Sequence, residues 1–356
     1  MSRRSRLLFV VLALATRAGY SQTAALDEPQ PIEDFGDEII APVASTPFGP
    51  MRLRQIDSLS TLFYQADADM ADTLPRGKWQ ISTDVHYSEH EVTDYGDDGF
   101  HSIHRDFEML RLELRAEYGI TDDLEAEVIL PFHYLVFGVL NEFIDDFHAV
   151  TGLGPTGELR QEFQDFIEFR DQIVHRGEKN RFRLADTTLS LKYSWLKDRT
   201  DDPLGVSFRT SIELPTGSAG DRVGNGKVDG GFGVLTQKTF GDFTLYFSAD
   251  AQLQQTPDNL KRGGARIDPI IGTAHAAAEW RASSWFALVL QFQYAQRLFG
   301  NAHPDVTALA DDRLTVALGW HLAVTEALHW RFTFAEDLFS GPSYDVLFHT
   351  GLAYRF

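Results

Sequence analysis

From residue 77 to the C-terminus, apolar and polar side chains alternate one by one in short runs separated by Gly, Asp, Pro or Ser. Successive side chains of an extended chain point to opposite faces, so each run predicts a strand with one greasy side and one polar side. Twelve such runs are legible. The first, about 77–90, sets Trp79, Ile81, Thr83, Val85 and Tyr87 against Gln80, Ser82, Asp84 and His86. The second alternates Leu110, Leu112, Leu114, Ala116 and Tyr118 with Arg111, Glu113, Arg115 and Glu117. The third sets Leu124, Ala126, Val128, Leu130, Phe132 and Tyr134 against Glu125, Glu127 and His133. Later runs carry Leu189 to Trp195, Val206 to Leu214, a glycine-rich and irregular 230–240, Phe243 to Leu253, Ala274 to Trp280, Phe286 to Tyr294, Leu314 to Trp320 and Leu328 to Phe334. In the last, 344–356, Val346, Phe348, Leu352, Tyr354 and Phe356 share one side, and Asp345, His349, Gly351 and Arg355 the other.

A soluble edge strand with such aromatics outward invites aggregation, whereas a transmembrane barrel needs an apolar row facing lipid. The charged row of the second run fits neither lipid nor an unpaired dry core. Connections after runs two, four, six, eight and ten are short (119–123, 197–203, 241–242, 281–284 and 323–327), and the alternate ones are longer and polar. That asymmetry is the one between periplasmic turns and external loops. All six tryptophans, Trp79, Trp195, Trp280, Trp285, Trp320 and Trp330, lie near strand ends on the short-turn side, where an interfacial girdle is expected. The predicted fold is all-β: a closed antiparallel transmembrane β-barrel of twelve strands spanning 77–356, with a long, partly helical external loop at 138–185. In that loop Phe143 and Phe147 share one helical face. After the Gly152-Leu153-Gly154-Pro155 break, Phe163, Phe166 and Ile167 share another within 158–175. Such a pair of helices would cap the pore, constrict it, or hold lipopolysaccharide or a partner.

Residues 1–21 read as a signal peptide, with Arg3, Arg4 and Arg6 ahead of an apolar stretch too short to span a bilayer. Residues 22–45 are acidic and proline-containing and read as a flexible periplasmic tail; 46–76 is predicted either to plug the barrel or to lie beneath it. The formal charge of −20 becomes −24 without the four arginines of 1–21, which argues against nucleic acid as a partner. There is no cysteine, so disulfides, thiolate metal sites and cysteine nucleophiles are excluded.

The candidate functional row is the inward one: Arg111, Glu113, Arg115, Glu117, Glu125, Glu127, Arg209 and Glu213. It predicts either a polar conduit favouring cationic or neutral solutes, or a set of mutually paired charges that fills the lumen. His86 and Ser88 are the one close histidine and serine pair on a strand, and turn chemistry explains Asn225 and Asp229 of the 220–230 loop as well as calcium does. No catalytic residue, metal ligand or cofactor is assigned.

Taken together, Thr46-Pro47-Phe48, Leu74-Pro75-Arg76-Gly77-Lys78-Trp79, the Gly152-to-Pro155 break and the closing Tyr354-Arg355-Phe356 resemble a family of uncharacterised outer-membrane β-barrel proteins, domain of unknown function 3187. The resemblance covers 46–356 and implies the location and the barrel fold, with no activity attached. The ending, through Tyr354 and Phe356, resembles the signal read by the barrel-assembly machinery, which with outer-membrane lipid is an expected partner. A channel or passive transporter for small solutes or hydrophobic compounds is the leading expectation. A non-conducting structural or interaction barrel comes second, and a lipid-modifying enzyme third.

Overall fold

The computed structural model describes residues 47–97, 99–139, 163–170, 172–198, 204–217, 223–300, 306–338 and 344–356. The sequence expectations for 1–45 and for Phe143 and Phe147 lie outside these residues. Fifteen strands are present among them: β1 (Trp79–Tyr95), β2 (His101–Gly119), β3 (Leu124–Val136), β4 (Gln164–Phe169), β5 (Gln172–Arg176), β6 (Phe182–Leu184), β7 (Thr187–Leu196), β8 (Gly205–Leu214), β9 (Asp229–Phe240), β10 (Phe243–Leu253), β11 (Ile270–Arg281), β12 (Phe286–Ala295), β13 (Arg313–Ala323), β14 (Leu328–Asp337) and β15 (Val346–Arg355).

Twelve of these, β1 to β3 and β7 to β15, form the wall, each antiparallel to its neighbours. The ring closes between the first and last, with Gln80 opposite Arg355 and Glu89 opposite Val346. Closure leaves no unpaired wall edge, which a strand surrounded by lipid requires. The alternation sets the facing: Trp79 and Ile81 are about half exposed (46% and 49%), while Gln80, Ser82, Asp84 and His86 point inward and are buried. No helix among the described residues is long and apolar enough to cross a membrane.

The irregular sixth run is explained by its inner face. On β9, Gly231 and Gly233 alternate with outward Phe232 and Val234. A Cβ at Gly231 would sit 2.5 Å from the Tyr64 ring, and one at Gly233 would sit 1.8 Å from Asp250 Oδ1. The glycines leave room for side chains inside the barrel, and the inward apolar signal disappears with them. Gly231→Val is therefore expected to push Tyr64 aside and destabilise the protein by ~1–3 kcal/mol. The check is a lower temperature for loss of heat-modifiable gel migration.

At the long-loop end the wall is uneven. β1 and β2 continue past their neighbours as a hairpin, β4 pairs with the upper part of β2 from His101–Phe169 to Asp106–Gln164, and β5 pairs with β4. This corrects the helix expected over 158–175: residues 164–169 and 172–176 are strands, turned by Arg170 at φ 50°. The apolar spacing there fits a helix face, but the unpaired upper edge of β2 offers backbone partners that an isolated helix lacks. Consequently Ile167 and Phe169 face inward and are buried, whereas Phe166 faces outward and stacks on His104 at 4.4 Å. Two short helices, α1 (Asp258–Arg262) and α2 (Thr307–Ala310), lie in the β10–β11 and β12–β13 connections.

Residues 47–75 thread the interior of the ring. At the short-turn end the Phe48 ring stacks on His321, 5.4 Å between centroids. The chain then climbs to a single 3₁₀ turn, Ser60–Leu62, at the long-loop end. There Leu59, Leu62 and Phe63 join Ile103, Ile167, Phe169, Val174, Leu260 and Phe299 in one buried apolar cluster over the mouth. It descends again until the Leu74 N–H donates to Glu125 at 2.7 Å. Lower down, Met51, Leu53 and Ile56 pack against inward Phe107, Tyr246, Val289 and Leu347.

Candidate functional site

The site is the boundary between this segment and the inner wall. An extended segment without a sheet ladder still has to satisfy its backbone polar groups when buried. Wall side chains do that here. Glu279 on β11 accepts from the N–H groups of Phe48 and Gly49 (3.0 and 2.9 Å), and Gln291 on β12 both accepts from Met51 N–H and donates to its carbonyl (2.9 Å each). His321 on β13 donates to Gly49 O at 2.9 Å. On the return limb, Gln237 on β9 accepts from Ala71 N–H at 2.9 Å, Ser207 on β8 donates to Ala71 O, and Arg209 donates to Asp67 O at 2.8 Å.

Charged side chains make the second layer. Arg52 donates to Glu117 at 2.5 Å and to Glu127 at 3.1 Å, and Lys192 on β7 bridges Asp69 (2.8 Å) and Glu125 (3.1 Å). Arg54 on the rising limb pairs with Asp67 on the descending limb at 2.5 Å and stands 3.5 Å from Glu113. Arg115 joins Asp67, Glu127 and Glu113, and Arg111 donates to Glu113 at 2.6 Å and lies 2.5 Å from His133. A buried charge is tolerable only when paired and hydrogen-bonded, and this arrangement meets that condition jointly between wall and segment.

The eight inward charges expected from the sequence are thus placed as follows. Arg111, Glu113, Arg115, Glu117, Glu125 and Glu127 form one cluster around Arg52, Arg54 and Asp67. Arg209 touches it through the Asp67 carbonyl and pairs its charge with Asp250 at 2.9 Å, and among the described residues the buried Glu213 leaves Oε2 without a hydrogen bond. The segment residues that complete the cluster carry no period of their own; the signal that existed was the excess of buried wall charge needing partners.

At the crest, Asp57 faces Arg105 at 2.9 Å and Arg313 at 3.5 Å. Burial alone would raise its carboxyl; the two guanidiniums hold it below the usual carboxylate range. A depressed carboxylate contributes stability that is present above the unfolded-state value of about 3.9 and lost as pH falls through the lower folded value. The stability difference between the wild type and Asp57→Asn should therefore stay constant from neutrality down to about pH 4 and shrink only below it. Thermal unfolding across that range is the measurement; a difference that closes at higher pH would contradict the pairing.

Residues 43–356 match the family described as Protein of unknown function (DUF3187). The chain belongs to this family. None of the curated proteins matches it. Among solved structures, the COG4313 outer membrane channel from Pseudomonas putida F1 is similar over 82% of this chain and 100% of that one, with a TM-score of 0.56 at 14% identity. At that identity the likeness is one of fold. The KdgM porin in complex with disordered oligogalacturonate is more remote (TM-score 0.42, 6% identity, 78% and 99% covered). So is the Ralstonia pickettii toluene transporter TbuX (TM-score 0.36, 10% identity, 79% and 90% covered).

The remaining sequence candidates of this DUF3187 chain take these places. Trp79, Trp195, Trp280, Trp285, Trp320 and Trp330 all lie on the short-turn half of the wall, Trp79 against Tyr118 at 4.5 Å and Trp320 against Phe332 at 4.6 Å. Tyr354 and Phe356 meet edge to face at 4.8 Å on the exposed side, and Phe356 N–H donates to Trp79 O at the seam. Of the loop residues, Phe163 and Ile167 turn inward and Phe166 outward. Ser88 is fully buried against His90 (2.9 Å), and His86 stacks on His349, so neither reaches the surface. Asn225 donates to Asp229 at 2.5 Å, and no group of three or more metal-ligating side chains is found among the described residues.

Proposed function

We propose that the protein is an outer-membrane channel or passive transporter for small solutes, and that residues 47–75 are its plug. The observation that carries this reading is the bonding of the segment to the inner wall side chain by side chain. Glu279, Gln291, Gln237 and His321 serve its backbone, and the paired charges serve its side chains. A wall evolved only to be filled gains more stability from apolar packing than from buried ion pairs, whereas polar contacts exchange readily for water when a segment moves. The apolar outer row and the likeness of fold to an outer membrane channel support the membrane location and the transport role. The test is single-channel conductance in planar bilayers for the full chain and for a chain lacking 47–75.

A second reading is a non-conducting barrel whose long-loop end binds a partner. It is favoured by the closed apolar cluster of Leu59, Leu62 and Phe63 over that mouth. Absence of conductance from both proteins would select it.

A further inference from the structure

At the short-turn end, wall and plug line a small pocket that opens to solvent. From the wall it takes Gln80, His329, Arg331 and Arg355; from the segment it takes Gly49 and Arg52. Its cations differ in what they already hold. Arg331 is committed to Asp84 through three contacts of 2.6–2.8 Å, and Arg52 to Glu117 and Glu127. Arg355 is different. Its Nε donates to Gln80 Oε1 at 2.6 Å, its backbone N–H donates to Ala327 O, and no carboxylate pairs with it among the described residues. Among the described residues neither terminal nitrogen of the guanidinium has a protein acceptor, and the one acid of the lining, Asp69, is held by Lys192 at 2.8 Å.

We propose that this pocket binds a small oxyanion, a carboxylate or phosphate, on the Nη1/Nη2 fork of Arg355. A planar guanidinium presents two parallel N–H donors matched to two oxygens of such a group, and that bidentate geometry is the strongest neutral-pH use of the fork. Beside the cationic or neutral preference read from the lumen row, the mouth adds an anion position. Because half of the lining belongs to the plug, bound anion contacts groups that separate when the plug leaves. Its affinity therefore differs between shut and open states, which is what a ligand needs in order to shift the balance between them. The inference deepens the channel reading and takes its physiological sense from it, but binding itself is measured independently of conductance.

The experiment uses the full chain in detergent, titrated calorimetrically with sodium phosphate and with sodium succinate at ionic strength matched by chloride. Saturable binding of either anion, weakened at least fivefold by Arg355→Gln in protein that keeps heat-modifiable migration, is the expected result, and the anion that binds identifies the class. Binding no stronger than chloride, or a smaller change in Arg355→Gln, overturns the proposal. Should the variant fail to fold, wild-type protein is treated with phenylglyoxal and digested for mass spectrometry. Modification of Arg355 must then be slowed by the binding anion and not by chloride, and equal rates overturn the site. Binding by the full chain with no conductance from the chain lacking 47–75 would remove the channel reading and keep the site; conductance from that deletion with no binding by the full chain would do the reverse.

Discussion

Removal of residues 47–75 is expected to turn a barrel that is silent or nearly so into one that conducts, raising mean single-channel current by at least an order of magnitude. The reason lies in where the segment's bonds go. It is bonded across the ring, to β2, β3, β7, β8, β9, β11 and β12, and its crest seals the far mouth with Leu59, Leu62 and Phe63. The wall strands pair with each other and close at β1–β15 without it, so the ring keeps its ladder when the segment is gone. The emptied lumen exposes Glu117, Glu127, Gln237, Gln291 and Glu279, which water can hydrate. Unchanged low current in correctly folded deletion protein would mean that some other part shuts the bore.

A second large effect is expected at the bond between the segment's own limbs. In Asp67→Leu, Arg54 keeps only Glu113, at 3.5 Å, and Arg115 loses one of three acids. Breaking one side of a buried ion pair commonly costs ~3–5 kcal/mol. If that loss falls on the docked state of the plug, the undocked fraction rises by roughly two to four powers of ten, seen as frequent openings. The Arg54→Leu/Asp67→Leu double variant should open less often than Asp67→Leu, because Glu113 still has Arg111 and Arg115 and no charge is stranded. Equal opening in both would show that the Arg54–Asp67 clamp does not hold the plug.

The wall was legible because an apolar outer face imposes a rule on every second residue, and the wall strands β1 to β3 and β7 to β15 obey it with few exceptions. The exceptions are informative. Gly231 and Gly233 blur β9 because they yield space to Tyr64 and Asp250, and Val289 and Leu347 are apolar on the inner face because Met51, Leu53 and Ile56 cover them. The path of 47–75 was not legible: Phe48 and Met51 depend on Glu279 and Gln291, more than two hundred residues away, and no local period records such a pairing. The 164–176 hairpin is not legible in the sequence, because Phe163, Phe166 and Ile167 suit both a helix face and a strand, and the edge of β2 that decides between them is remote in sequence. Among the candidate charges, facing was readable from alternation, while partners were not, since Arg52, Arg54 and Asp67 arrive from outside the wall.

The segment begins and ends at the same rim, Phe48 beside His321 and Leu74 beside Glu125. It therefore occupies the bore as a bight, in the way a doubled cord sits in an eyelet. A doubled cord can be drawn out from the side on which both its strands lie, with its attachment to the ring at Trp79 left intact, and nothing has to be threaded or cut. The same geometry means that any force acting on the chain before Phe48 loads the rising strand first, parting Phe48, Gly49 and Met51 from Glu279 and Gln291, then Arg52 and Arg54 from their acids, before the crest moves.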